Sequence, residues 1–237
     1  MNANLGLQRE VQSAVELQIR IPSKISPREA IALQKRLSPL VDESSELPRE
    51  THYLVGCDAT YLRGTTLAAA TLVQYDTLKP VRIKAIRERT RFPYIPGLLA
   101  FREGPSVLRA IRSLRARSYI CLVDAHGLAH PRRFGLACFV GLALDRPTIG
   151  VAKSLLYGWV RGHQVFDKEG RQIAEIVPLP NSRRVIYVSV GHKLSLKDAV
   201  KIVKRSLTQR GPVPISLAHE EVTKQKWQLR KSNQASS

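Results

Sequence analysis

The chain has 237 residues, 43% of them hydrophobic but only 6% aromatic, enough for one large or two small domains with an aliphatic core. Its 38 Lys and Arg against 19 Asp and Glu give a formal charge of +19, so a polyanion is the expected partner. Cys57, Cys121 and Cys138 make no disulfide framework and no CxxC metal motif, and no apolar run reaches membrane-spanning length.

The basic residues are spread along the whole chain, which favours nucleic acid over a membrane surface. The opening "MNANLGLQRE" lacks a signal-peptide pattern, so a cytoplasmic protein with buried free thiols is expected. A bond between Cys57 and Cys121 would require their strands to be neighbours.

In chain order, "ISPREAIALQKRL" predicts a helix with Ser26 as N-cap, Pro27 in the first turn and Glu29 closing a capping box. The polar stretch "DESSELPRE" then sets residues 1–48 apart as an N-terminal arm. Three strands follow, "YLVGCDATY", "TTLAAATLVQY" and "VRIKAIRERT", joined by turns short enough to make antiparallel neighbours. In "RFPYIPGLLAFREGP", two prolines frame Tyr94 and Ile95, and "GLLAFRE" reads as a short helix ended by Gly104-Pro105. A second helix carries Val107, Leu108, Ile111 and Leu114 on one face. "YICLVD", "RFGLACFVGLALD" and "PTIGVAK" read as β-α-β with parallel strands.

"RRVIYVSVG" is a further strand, and Ser195 with Asp198 starts a helix bearing Leu196, Ala199, Val200, Val203 and Leu207. "GPVPISLAHEEVTKQKW" reads as the last helix. The main body is thus residues 49–226, and 227–237 a disordered tail. The pattern is α/β: a mixed central sheet, antiparallel in its first three strands and then parallel, with helices on both faces. That is the plan of an RNase H-like domain, one of several α/β arrangements the pattern allows.

Acids are scarce where the chain is most basic. Between Arg91 and Lys153 only Glu103, Asp124 and Asp145 occur. Asp58 lies within an apolar strand that disfavours it, and Asp124 ends a parallel strand, where α/β folds place ligands. Strand alternation sets Cys57 opposite Asp58 and Cys121 opposite Asp124. Glu103, at the expected C-terminus of its short helix, faces a negative dipole end unless a cation is near. Oxygen ligands of this kind suit Mg2+, with Mn2+ as a substitute. Structural pairing with arginines is the competing account of each acid.

Lys153 ends its strand as Asp124 does, placed either to stabilise a phosphorane and its attacking water or simply to be solvated. In "DAHGLAHPRRFG", His130, Arg132 and Arg133 beside free backbone amides make a candidate phosphate seat. Gly127 and Pro131 break the helix that a zinc-binding histidine pair would need.

The segments "RFPYIPGLLAFRE", "VDAHGLAHPRRFG" and "PTIGVAKSLLYG", in that order and spacing, resemble the endonuclease V family from about Ile25 to about Lys224. The resemblance implies an RNase H-like, Mg2+-dependent nuclease. It would cut the second phosphodiester 3′ to deoxyinosine in single- or double-stranded damaged DNA, leaving 3′-hydroxyl and 5′-phosphate ends. It carries the metal acids onto Asp58, Glu103 and Asp124, the active-site lysine onto Lys153, and a late polar position onto His219. The strand-separating wedge falls on Pro93, Tyr94, Ile95 and Pro96. The base pocket falls on backbone near Gly97 and Gly127 with apolar walls at Leu99, Leu136 and Leu156, His130 and Arg132 lying beside it.

One position departs from the pattern: Ala125 stands where the family usually has glycine, and its methyl is expected to alter base preference. A monomer is expected. Rival readings are an inosine-specific ribonuclease, another RNase H-like nuclease, and a non-enzymatic basic binder that would leave Asp58 and Asp124 unexplained.

Overall fold

The computed structural model describes residues 25–44 and 50–234. Strand β1 (Tyr53–Leu62) turns back through Arg63 and Gly64, both at positive φ, into β2 (Thr65–Gln74), and β3 (Pro80–Arg89) pairs antiparallel with β2. Helix α2 (Leu99–Ser113) leads to β4 (Tyr119–Val123), α3 (Leu136–Leu144) and β5 (Thr148–Ala152). β4 lies parallel to β1 and β5 parallel to β4. Fold class and the antiparallel-then-parallel order are therefore as the pattern predicts: an RNase H-like mixed sheet with helices on both faces.

The sheet is larger than expected, with nine strands in the order β3-β2-β1-β4-β5-β9-β8-β7-β6. β9 (Val185–His192) adds antiparallel to β5, and three unpredicted strands follow outward: β8 (Gln172–Pro178), β7 (Gln164–Phe166) and β6 (Trp159–Arg161). The two outermost are three residues each, too short to show alternation in sequence.

Alternation in the inner strands sorts two cores. Val55, Cys57, Cys121 and Val123 face a layer formed by α1 (Pro27–Leu37), α2 and α3. Leu54, Ile120 and Leu122 face the opposite layer, where α4 (Leu196–Arg205) and the start of α5 (Val213–Gln234) contribute Ala199, Val203 and Ile215. All three cysteines are buried and free. Among the described residues no helix is long and apolar enough to cross a membrane.

Three local expectations change. The capping box of Ser26 and Glu29 is present, yet α1 is no separate arm: Ala30, Leu33 and Leu37 join the main core. Residues 1–24 of the expected arm lie outside the described residues. Helix α2 does not end at Gly104-Pro105 but runs through both. An interior proline costs about 3 kcal/mol, whereas burying Phe101, Val107 and Ile111, each at most 3% exposed, returns about 1.5–3 kcal/mol apiece. Glu103 is therefore mid-helix, and a helix-end dipole has no bearing on it. Finally, α5 continues to Gln234, so residues 227–234, expected in a disordered tail, are helical.

Candidate active site

Asp58 and Asp124 meet because β1 and β4 are parallel neighbours. The Asp124 amide extends their ladder by donating to the Cys57 carbonyl at 3.0 Å. Lys153, one residue past β5, brings Nζ to 2.6 Å from Asp124 Oδ2. Helix α5 completes the group. Gly56 admits it, since a Cβ there would lie 2.1 Å from the Pro214 carbonyl carbon. Ala218 and Val222 then pack on Ala69, the β2 residue paired with Asp58. His219 consequently sets Nδ1 2.8 Å from Asp58 Oδ2.

One ligand atom each from Asp58, Asp124 and His219 lies within 4.8 Å of the others. Two carboxylates and an imidazole are hard or borderline donors, and they fit a divalent cation of the Mg2+ or Mn2+ type. Burial, then the charge of Asp124, raises the Asp58 pKa, so a cation at this position would relieve both effects.

Glu103 does not join that trio. It is 6% exposed, and its carboxylate accepts a hydrogen bond from the Tyr61 hydroxyl. Burial, with further raising contributions from Asp58 and Asp124, pushes its pKa up to about 8. Tyr61 lies on the α2 side of β1, as Cys57 does by alternation, and its bond holds the Glu103 carboxyl on that side of the sheet.

Beside the cluster is a cavity of about 220 Å³ whose lining includes Tyr94, Ile95, Pro96, Gly97, Leu99, Ala125, Leu136 and Leu156. Most of the expected wedge and pocket residues thus come together. Tyr94 is 69% exposed, while Ile95 packs against the main core. The wedge residues lie between β3 and α2, outside regular structure.

The Gly97 carbonyl at the pocket wall accepts from Gln34 Nε2 at 3.0 Å, His130 Nε2 at 2.9 Å and Arg132 Nη2 at 2.7 Å. These three donors fill its acceptor capacity. Gly97 has φ +78°, and a Cβ there would meet the Arg132 guanidinium at 2.7 Å.

Other expected residues serve elsewhere. Gly127 lies behind the pocket: its amide donates to Ser189 Oγ at 2.9 Å and its carbonyl accepts from Gly135 at 3.0 Å. A Cβ on Gly127 would lie 2.0 Å from the Val190 carbonyl oxygen, so close packing alone explains it. The expected phosphate seat is also turned inward. His130 is 2% exposed, Arg132 Nε donates to Gln34 Oε1 at 2.6 Å, and Arg133 pairs with Glu43 at 2.7 Å and Asp167 at 3.4 Å. The physical reason is that α3 starts only at Leu136, leaving His130–Phe134 as a turn folded against α1.

The Endonuclease V family sequence pattern matches residues 35–220. A relative from Desulfurococcus amylolyticus is 41% identical over 200 residues, covering 80% of this chain and 90% of its own. The chain belongs to the endonuclease V family.

It is accordingly a nuclease. Among solved family members, the Streptomyces avermitilis endonuclease V superposes with a TM-score of 0.79 at 30% identity, covering 92% of this chain and 99% of its own. The Ciona intestinalis endonuclease V, solved in complex with a 24-mer DNA containing an inosine followed by a ribo-adenosine, gives 0.76 at 26% identity and covers 84% and 96%.

Several residues of this endonuclease V site were not read from sequence. Gln34 carried a signal, being a polar residue amid the apolar stripe of Ala30, Leu33 and Leu37, but it was assigned to a separate arm. Arg102 donates to the Phe92 carbonyl at 2.6 Å and stacks 4.0 Å over the Tyr61 ring. With the Tyr61 bond to Glu103, it forms a continuous chain from wedge base to buried acid. Ser154, whose carbonyl bonds His126 at 2.8 Å, also lines the pocket and carried no distinguishing pattern, whereas His126 stood out in sequence only as half of the histidine pair with His130.

Proposed function

We propose that this protein is a Mg2+-dependent endonuclease that recognises deoxyinosine in DNA and hydrolyses the second phosphodiester 3′ to it, leaving 3′-hydroxyl and 5′-phosphate ends. The observation that carries the reading is the adjacency of two sites: a pocket behind an exposed, proline-framed tyrosine, and a carboxylate–imidazole cluster next to it.

A base must leave the stack to be inspected, at a cost of a few kcal/mol, least for a weakly paired one. Tyr94 would fill the vacated gap with Ile95 anchoring it on the core, and Pro93 and Pro96 limit the entropy lost on doing so. The Gln34–His130–Arg132 network holds the Gly97 wall rigid, so little reorganisation accompanies base entry. Leu99, Leu136 and Leu156 give apolar walls, and the Ala125 methyl narrows the floor where the family usually carries glycine.

Asp58, Asp124 and His219 would hold the cation, with Glu103 as a third, buried acid beside them that Tyr61 hydrogen-bonds. When bound, Mg2+ orients water and neutralises charge on the leaving oxygen. Lys153, held by Asp124, keeps an ammonium where negative charge builds on the phosphate. The inosine-containing ligand of the Ciona relative supports the choice of base, and its ribo-adenosine favours, as a second reading, strands containing ribose.

The test is incubation with deoxyinosine oligonucleotides, with and without Mg2+, and sizing of the product. The expected result is one metal-dependent cut at the second bond 3′ to inosine and none in an adenine control. Tyr94→Ala should weaken that preference, and Ala125→Gly should change it. Binding without cutting in either Mg2+ or Mn2+ would remove the reading, while faster cutting of inosine RNA would establish the ribonuclease alternative.

A further inference from the structure

Helix α5 does not end where the family pattern does: the match stops at residue 220, and the helix continues to Gln234. The extension holds Lys224, Lys226, Arg230 and Lys231 against the single acid Glu221. Helical periodicity places His219, Thr223, Lys226 and Arg230 in one stripe, with Trp227 along its margin. The stripe is fixed to the site at two points, His219 on Asp58 at 2.8 Å and Lys226 Nζ on Thr60 Oγ1 at 3.1 Å. Nearby acids are engaged off it, Glu220 by Arg210 at 2.9 Å and Glu221 by Gln225 at 2.7 Å.

Trp227 is 55% exposed, because Ala218, Val222 and Leu229 supply the buried side of the helix. Lys231 Nζ stands 3.9 Å from its ring centroid, so a large aromatic surface, 55% exposed among the described residues, is displayed among cations.

We propose that this extension is a rail for single-stranded nucleic acid on the 3′ side of the cut, with phosphate contacts at Lys226 and Arg230 and a base stacked on Trp227. The inference rests on the cleavage reading above for its direction. The pocket lies in the layer of α1, α2 and α3, the cluster at the strand ends, and α5 in the opposite layer. A strand with its lesion in the pocket and a downstream phosphate at the cluster continues onto α5. From His219 to Arg230 is about 16 Å along the helix, the rise of about five nucleotides in one duplex strand. Stacking and phosphate contacts tolerate any sequence, so the rail contributes affinity without choosing the lesion.

The experiment compares native protein with Trp227→Ala and Arg230→Gln, both at exposed positions. The substrates are two deoxyinosine single strands, one extending well past the cut on its 3′ side and one ending just beyond it. On the long strand, Trp227→Ala should raise KM by about tenfold with kcat unchanged; on the short strand it should change neither. Arg230→Gln should flatten the dependence of log affinity on log salt by about 0.7 for the long strand alone. Equal losses on both strands, no loss on either, or an unchanged salt slope would overturn the rail. If native protein cuts neither strand, the cleavage reading fails instead, and affinities for undamaged strands of the same two lengths decide the rail.

Discussion

His130 has both ring nitrogens committed: Nδ1 accepts from the Arg132 amide at 3.1 Å, so Nε2 carries the proton donated to the Gly97 carbonyl. Burial, reinforced by the Arg132 charge, lowers its pKa from 6.5 to about 4. Folding thus favours the neutral ring. Because the folded value lies below the unfolded one, the stability this provides is complete above pH 6.5 and is lost as pH falls toward 4. The shift corresponds to about 3 kcal/mol. His130→Gln, followed by urea denaturation across that range, should yield a native-minus-variant difference that shrinks by this order on acidification; a constant difference would mean that His130 is not held neutral. Sequence singled out His130 correctly as special but gave it to phosphate, since nothing in "AHPRRFG" shows which side chains are covered by α1.

At the scale of elements, α2 and α3 approach closely enough that a Cβ on Gly104 would lie 2.4 Å from Phe139 Cε1. Alanine in a helix gains about 1 kcal/mol over glycine, but overpacking a filled core costs typically 1–3 kcal/mol. Phe139 is 1% exposed and has no room to yield, so the clash wins. Gly104→Ala is therefore expected to destabilise by about 1–2 kcal/mol in thermal unfolding, with Phe139→Leu restoring part of the loss. The same glycine was read as half of a helix stop. Local propensity favoured that reading, and only the neighbouring helix supplies the reason for a glycine within α2. Strand alternation was a better guide, because the faces of β1 and β4 follow from a period of two wherever they pair.

At the scale of the molecule, affinity and cutting should separate. The +19 charge is distributed over the whole chain, whereas among the described residues the cation-binding candidates are confined to Asp58, Asp124 and His219. Replacing Asp58 or Asp124 by Ala removes negative charge, so DNA affinity should hold or rise slightly, with the salt dependence intact. Metal-dependent cutting should fall by more than about 100-fold. Gel-shift and cleavage assays on the same preparations check this, and a variant that still cuts at the native rate would exclude that acid from the cation site.

Sequence alone determined what is local or strictly periodic: the capping box of Ser26 and Glu29, the antiparallel-then-parallel strand order, the scarcity of acids between Arg91 and Lys153, and the rigid Pro-Tyr-Ile-Pro segment. The tertiary structure decided what depends on contacts between distant segments. It turned His130, Arg132 and Arg133 inward, made α1 a wall of the pocket, joined two helices across Pro105, gave Tyr61 to Glu103 and brought His219 to Asp58. The physical reason is that propensity and periodicity act over a few residues. Burial and hydrogen-bond partnership, which set charge state and availability to substrate, come from distant segments, 161 positions apart for His219 and Asp58.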